Sequence, residues 1–152
     1  MADAIEGQDS VLAALGKRLD IRRTTLFYEG TVNIVAGMKE HNVKRISICS
    51  SAFVFQLPFW AVLLGARAIT EEHHRQINVL RESGLEWIAV CPPDIKDTPF
   101  TGNYQVKINE WPSAYACSRR HIADLMIKSL QGDDYVGKLV SCWDDSWFCT
   151  IL

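Results

Sequence analysis

Short apolar runs alternate along the chain with stretches of helical periodicity. "SVLAALG" reads as a strand of about five residues. A helix follows that Thr24 or Thr25 can cap, with Gly30, Ile34, Val35 and Met38 on one face. "VKRISICSS" is the next strand. Thr70 is the expected cap of a second helix, with Glu71 and Glu72 in its first turn, where the helix dipole favours acids. Ile77 and Leu80 face inward and Gly84 stops that helix. "LEWIAVCPP" is a third strand, cut off by two prolines. "NYQVKINEW" alternates like a half-exposed strand. Ser118 caps a last helix carrying Ile122, Leu125, Met126 and Leu130 on one face, and "GKLVSC" is a final short strand.

Strand, helix, strand, helix, strand requires crossover connections, hence an α/β fold with a mostly parallel sheet and flanking helices. In such sheets ligands bind beyond the carboxyl ends of the strands. That rule singles out Gly16-Lys17-Arg18, Ser50-Ser51 and Pro92-Pro93-Asp94. Arg18 can pair with a phosphate or stack on a ring. Each group also has a plainer reading: a charged turn, a strand end, and an aspartate that helps a turn after prolines.

Composition narrows the picture. The 152 residues suffice for one domain, and 48% hydrophobic with 22% charged residues is globular. A formal charge of -2 with scattered Lys and Arg gives no footprint for nucleic acid. Five cysteines, an odd count without a CxxC pair, fit reduced thiols. "MADAIEGQDS" lacks the basic start and apolar stretch of a secretory signal, so a cytoplasmic location is expected. Four scattered histidines show no metal-ligand spacing, and no metal is expected. The longest apolar run, Ala52 to Ala66, is too short for a bilayer and is expected to be buried or to line an apolar pocket. "CTIL" at Cys149 to Leu152 fits a prenylation box loosely, and only that modification would bring a membrane in. The acidic "WDDSWF" before it argues against anchoring.

Four stretches carry a family resemblance: "GQDSVLAALGKR", "TTLFYEGTVNIVAGMKEHNVKRISICSSAF", "HHRQINVLRESGLEWIAVCPPDIKDTPFTGNY" and "PSAYACSRRHIADLMIKSL". The chain resembles the atypical short-chain dehydrogenases, and within them the flavin reductase (biliverdin-IX-beta reductase) family. The resemblance implies that residues 1–135 are the C-terminal portion of a doubly wound, Rossmann-like domain, here partial, and that 136–152 are a divergent tail. It implies NADPH as the cofactor, passing a hydride to a flavin or a linear tetrapyrrole. It places the turn of Gly16, Lys17 and Arg18 beside the cofactor and Phe27 near it. Cys49 and Ser50 would lie beneath the nicotinamide, with Ser51 at the reaction centre. His73 would contact the cofactor. The turn of Pro92 and Pro93 would present backbone from Asp94 and Ile95 to the nicotinamide.

The departures also have consequences. The Tyr-x-x-x-Lys pair of ordinary short-chain dehydrogenases is absent: Tyr104 and Lys107 are one residue too close. Asp94 stands where close relatives have a histidine. No G-x-G-x-x-G occurs in the chain, so the element that holds the adenosine ribose and pyrophosphate is missing. Weak or absent NADPH binding by this chain alone is therefore expected. The alternative is a non-catalytic remnant that associates with a partner through the sheet edge at "SVLAAL".

Overall fold

The computed structural model describes residues 2–16, 24–63 and 65–144. In chain order the elements are β1 (Ser10–Ala13), α1 (Leu26–Glu40), β2 (Arg45–Cys49), α2 (Phe59–Leu63), α3 (Arg67–Ser83) and β3 (Glu86–Val90). They continue with β4 (Asp94–Lys96), β5 (Gln105–Ile108), β6 (Ala116–Ser118), α4 (Arg119–Ser129) and β7 (Lys138–Trp143). The main sheet has the order β1-β2-β3-β7-β5. The first four strands are parallel, and β5 returns antiparallel along β7. This is the expected mostly parallel, Rossmann-like sheet flanked by helices. Strands β4 and β6 form a separate parallel pair. At three residues each they are too short to leave a periodic signal in the sequence.

Side chains alternate across the central strands. Ile46 and Ile48 of β2, with Trp87 and Ala89 of β3, pack against Ile34, Val35 and Met38 of α1 and Ile77 and Leu80 of α3. Ile88, Val90, Val140 and Cys142 face the other way, onto Ile122, Leu125 and Met126 of α4. Both faces are covered, which is why these strands read as continuous apolar runs. Residues 136–152 include β7, which is bonded on both sides and lies inside the sheet.

Several local signals act as expected. Gly84 caps α3 at φ 74°, the left-handed conformation that a glycine adopts without strain. The Ser118 hydroxyl accepts from the Arg120 amide at the start of α4. Gly30 has a packing role: a Cβ there would sit 2.7 Å from Leu15 Cδ1. Its absence lets α1 settle against the chain leaving β1.

Two expectations are corrected. Helix α3 starts at Arg67, a turn before Thr70. Thr70 does not cap the helix; its hydroxyl donates to the Ala66 carbonyl at 2.9 Å, a bond that needs the preceding turn to be helical. The apolar run from Ala52 to Ala66 is not uniformly buried. It forms a 3-10 turn at Ala52–Val54 and then α2, where Phe59 and Leu63 are 76% and 71% exposed. Hydrophobicity could not show this, because exposure depends on which segments meet α2 in the fold.

Candidate functional site

The carboxyl ends of β1, β2 and β3 converge on one edge of the sheet. Gly16 lies past β1, exposed, with open space where a Cβ would be. Lys17 and Arg18 lie outside the described residues, as does Cys149. Beyond β2 and β3 the backbones stay paired: the Ser50 amide donates to the Val90 carbonyl at 2.8 Å, and the Ala52 amide to the Pro92 carbonyl at 2.9 Å. This holds Ser50 and Ser51 beside Pro92 and Pro93. Pro92 is buried and Pro93 half-buried. Asp94 and Ile95 are exposed at the start of β4. The Asp94 amide is used by the Tyr115 carbonyl at 3.0 Å, and its carboxylate pairs with Lys96 at 2.6 Å.

A buried polar chain leads inward from this edge. Ser50 Oγ lies 3.2 Å from His73 Nδ1, and Gln76 Oε1 lies 3.4 Å from the same nitrogen. Gln76 Nε2 donates to Thr31 Oγ1 at 3.2 Å. With the Gln76 amide so oriented, its oxygen faces the histidine, which assigns the proton to Nδ1. Phe27 is buried and covers the imidazole, with ring centroids 4.4 Å apart. Burial lowers the His73 pKa to about 4, against a smaller opposing effect of Gln76. His73 is therefore neutral at pH 7, a hydrogen-bonding wall and not a charge. Burial also pushes the Cys49 thiol up to about 11, so it is no nucleophile.

Glu72 was not singled out in the sequence for what it does here. Its carboxylate accepts from the Tyr28 amide at 3.1 Å, capping α1 from a different helix, and pairs with Arg75 at 3.0 Å. The Arg75 guanidinium lies 4.0 Å from the Tyr28 ring centroid. Glu71, Glu72 and Arg75 line a cavity of about 590 Å³ with Thr24, Thr25 and Ala68 at the first turns of α1 and α3. This is the end of the sheet at which doubly wound folds bind ligands.

On the other side of Ser51 stands an aromatic group. Phe53 stacks near Trp111, with centroids 6.3 Å apart, and meets Trp60 edge-on at 6.1 Å. The Ser51 hydroxyl accepts from the Phe53 amide at 3.3 Å, so serine and platform are held one turn apart. Phe53, Val54, Phe55 and Leu57 also line a second cavity of about 370 Å³ with Thr70 and His74.

Elsewhere, Cys117, His121 and Asp144 bring one potential ligand atom each within 4.8 Å. The hydrogen bonds argue against a metal there. His121 Nε2 accepts from the backbone amides of Thr101 and Gly102 at 3.1 and 3.2 Å. The proton therefore sits on Nδ1, toward Asp144, and no lone pair is left for an ion. Tyr104 donates to Asp124 at 2.7 Å, and partial burial, then Asp124, raises its pKa. That tyrosine is the opposite of an activated one.

The model of a family described as NAD(P)H-binding matches residues 1–133. The chain is similar to the oxidoreductase ylbE from Lactococcus lactis, at 19% identity and a TM-score of 0.78, over 95% of this chain and 65% of that one. It is also similar to a short-chain dehydrogenase/reductase from Veillonella parvula DSM 2008 in complex with NADP (14% identity, TM-score 0.71, 95% and 66% covered). A third similar structure is SP1627 from Streptococcus pneumoniae TIGR4, suggested to be an NADH-flavin reductase (16% identity, TM-score 0.78, 95% and 75% covered). The chain thus spans 65% of the length of ylbE. With this sheet, this ligand-facing edge and a match over residues 1–133, the chain belongs to the NAD(P)H-binding family.

Proposed function

We propose that the chain acts in the NADPH-dependent reduction of a flat conjugated acceptor, a flavin or a linear tetrapyrrole. The observation that carries this reading is the aromatic group of Phe53, Trp60 and Trp111 beside Ser51, at the ligand-binding edge of a nicotinamide-binding fold. When bound, the nicotinamide supplies the hydride. The protein's residues place the partners. Gly16, which precedes Lys17 and Arg18 in the sequence, stands on one side, and Phe27 with neutral His73 forms an inner wall. Cys49 and Ser50 form the floor, and Pro92, Pro93, Asp94 and Ile95 the opposite rim. Ser51 offers a hydroxyl where cofactor and acceptor would meet. Phe53 and its neighbours present the π-faces on which a conjugated ring stacks. Solvent can deliver the proton that accompanies flavin reduction. An odd number of cysteines without a CxxC pair suits a cytoplasmic setting.

The residues fit the nicotinamide end of the cofactor. No glycine-rich turn in the sequence serves the pyrophosphate, and we infer weak NADPH binding. The test is NADPH oxidation with FMN as acceptor, alongside NADPH titration by tryptophan fluorescence. Flavin-dependent oxidation at millimolar NADPH is expected, and Ser51→Ala lowers its turnover roughly tenfold or more. No flavin-dependent oxidation even at saturating NADPH overturns the reading. Tight, micromolar binding overturns the inference of weak binding.

A second reading has one observation behind it. Among the described residues β1 bonds to β2 alone, and Leu12 on it is 48% exposed. An open edge of this kind can take a strand from a partner. Sedimentation over a range of concentrations tests it, and a monomer throughout argues against it.

A further inference from the structure

We propose that Cys117 and Cys142 form a redox-responsive pair that closes to a reversible disulfide, fastening β6 to β7 beside the candidate site. The Cys117 thiol donates to Cys142 Sγ at 3.7 Å, and both residues are fully buried. The contact is particular to this pair among the described cysteines. Cys49 points its thiol at the Ser50 carbonyl and Cys91 at the Ala89 carbonyl. The backbone around the pair is fixed on both strands. The Asp144 amide donates to the Ala116 carbonyl at 3.1 Å, and the Ser118 amide to Asp144 Oδ2 at 2.7 Å. The sulfurs therefore face each other across strands that are already tied together. Forming the bond means closing from contact to about 2.05 Å, by side-chain rotation.

The oxidant required is a peroxide. Cys142, the sulfur that accepts the S–H bond, loses its proton to water and attacks one peroxide oxygen. The O–O bond breaks, leaving a sulfenic acid on Cys142 and releasing the other oxygen as water. Cys117 sulfur then attacks Cys142 sulfur. The S–O bond breaks, and that oxygen leaves as water with the Cys117 proton. Two thiols and one hydrogen peroxide become one disulfide and two waters, with two electrons passing from sulfur to oxygen. The hydrogen bond to Cys142, and after it burial, raise the Cys117 pKa. The reaction is accordingly slower than at an exposed thiol.

The placement gives the bond a consequence. Cys117 pairs in register with Ile95 of β4, the strand that continues from Pro92 and Pro93. Closing the disulfide would anchor Asp94 to Lys96 on β7 through β6. The test is exposure of the full chain to hydrogen peroxide, alkylation of the remaining thiols, and peptide mapping without reductant. A Cys117–Cys142 linked peptide as the dominant product, the loss of two hydrogens and reversal by dithiothreitol are expected. Cys142→Ser abolishes the product and Cys91→Ser preserves it. A different linked pair, or these two cysteines recovered alkylated while others oxidise, overturns the proposal. The wild-type map decides the matter even where a variant folds poorly.

Discussion

Two buried histidines, one on each face of the sheet, meet the same problem with different partners. His73 on α3 is held by neutral groups: Ser50, Gln76 and the ring of Phe27. His121 on α4 is held by a carboxylate, Asp144, and by two backbone amides from the loop at Thr101 and Gly102. The first adjoins the strand ends where a ligand would bind. The second pins three segments together: the loop, the start of α4 and the end of β7. A neutral network leaves a group without charge near the candidate site. A charged partner makes a strong fixed joint. The difference suggests that the α1/α3 face is built around binding and the α4 face around holding β4, β6 and β7 in place.

The largest test of this contrast is His121→Ala. It removes the imidazole that bonds the buried Asp144 carboxylate, which costs about 3 kcal/mol. Urea denaturation measures it, and a loss below about 1 kcal/mol would mean the joint is not structural. Next comes the pH dependence of His73. Its folded pKa, about 4, lies below the ordinary 6.5. Above pH 6.5 the residue is neutral in both states and its burial carries no protonation penalty. As pH falls from 6.5 toward 4, the unfolded chain takes up the proton first, and stability drops by on the order of 3 kcal/mol in total. His73→Gln is expected to flatten that limb of the stability–pH curve. A variant with the wild-type slope breaks the comparison. The smallest effect is expected at Gly30→Ala, where the new methyl meets Leu15. Overpacking of about 1–3 kcal/mol is partly offset by better helix propensity, so a net loss of about 1 kcal/mol should appear in thermal melts.

Which strand ends lie together at the candidate site was legible in the sequence. The mostly parallel sheet follows from crossovers, and the strand ends singled out follow from the sheet. Ser50, Ser51, Pro92 and Pro93 lie together at this edge, because β2 and β3 stay paired past their last strand residues. The partners of those residues were not legible. Nothing in "EEHHRQIN" says that Glu72 caps a helix 44 positions earlier, or that Gln76 reaches Thr31. Both are contacts across the α1–α3 interface, set by helix packing and not by local spacing. The joint of His121 and Asp144 spans 23 positions and joins a helix to a strand end, which no motif encodes.

The sequence by itself determined the alternation of strand and helix, the capping of α4 by Ser118, the stop at Gly84 and membership of the NAD(P)H-binding family. These rest on local periodicity and backbone preference, which act over a few residues. Tertiary structure alone decided that Thr70 lies inside its helix and that the apolar run around Phe59 faces outward. It also decided which histidine is held neutral and which is tied to a carboxylate. Burial, proton position and hydrogen-bond partners depend on which segments meet, and distant parts of the chain meet only in the fold.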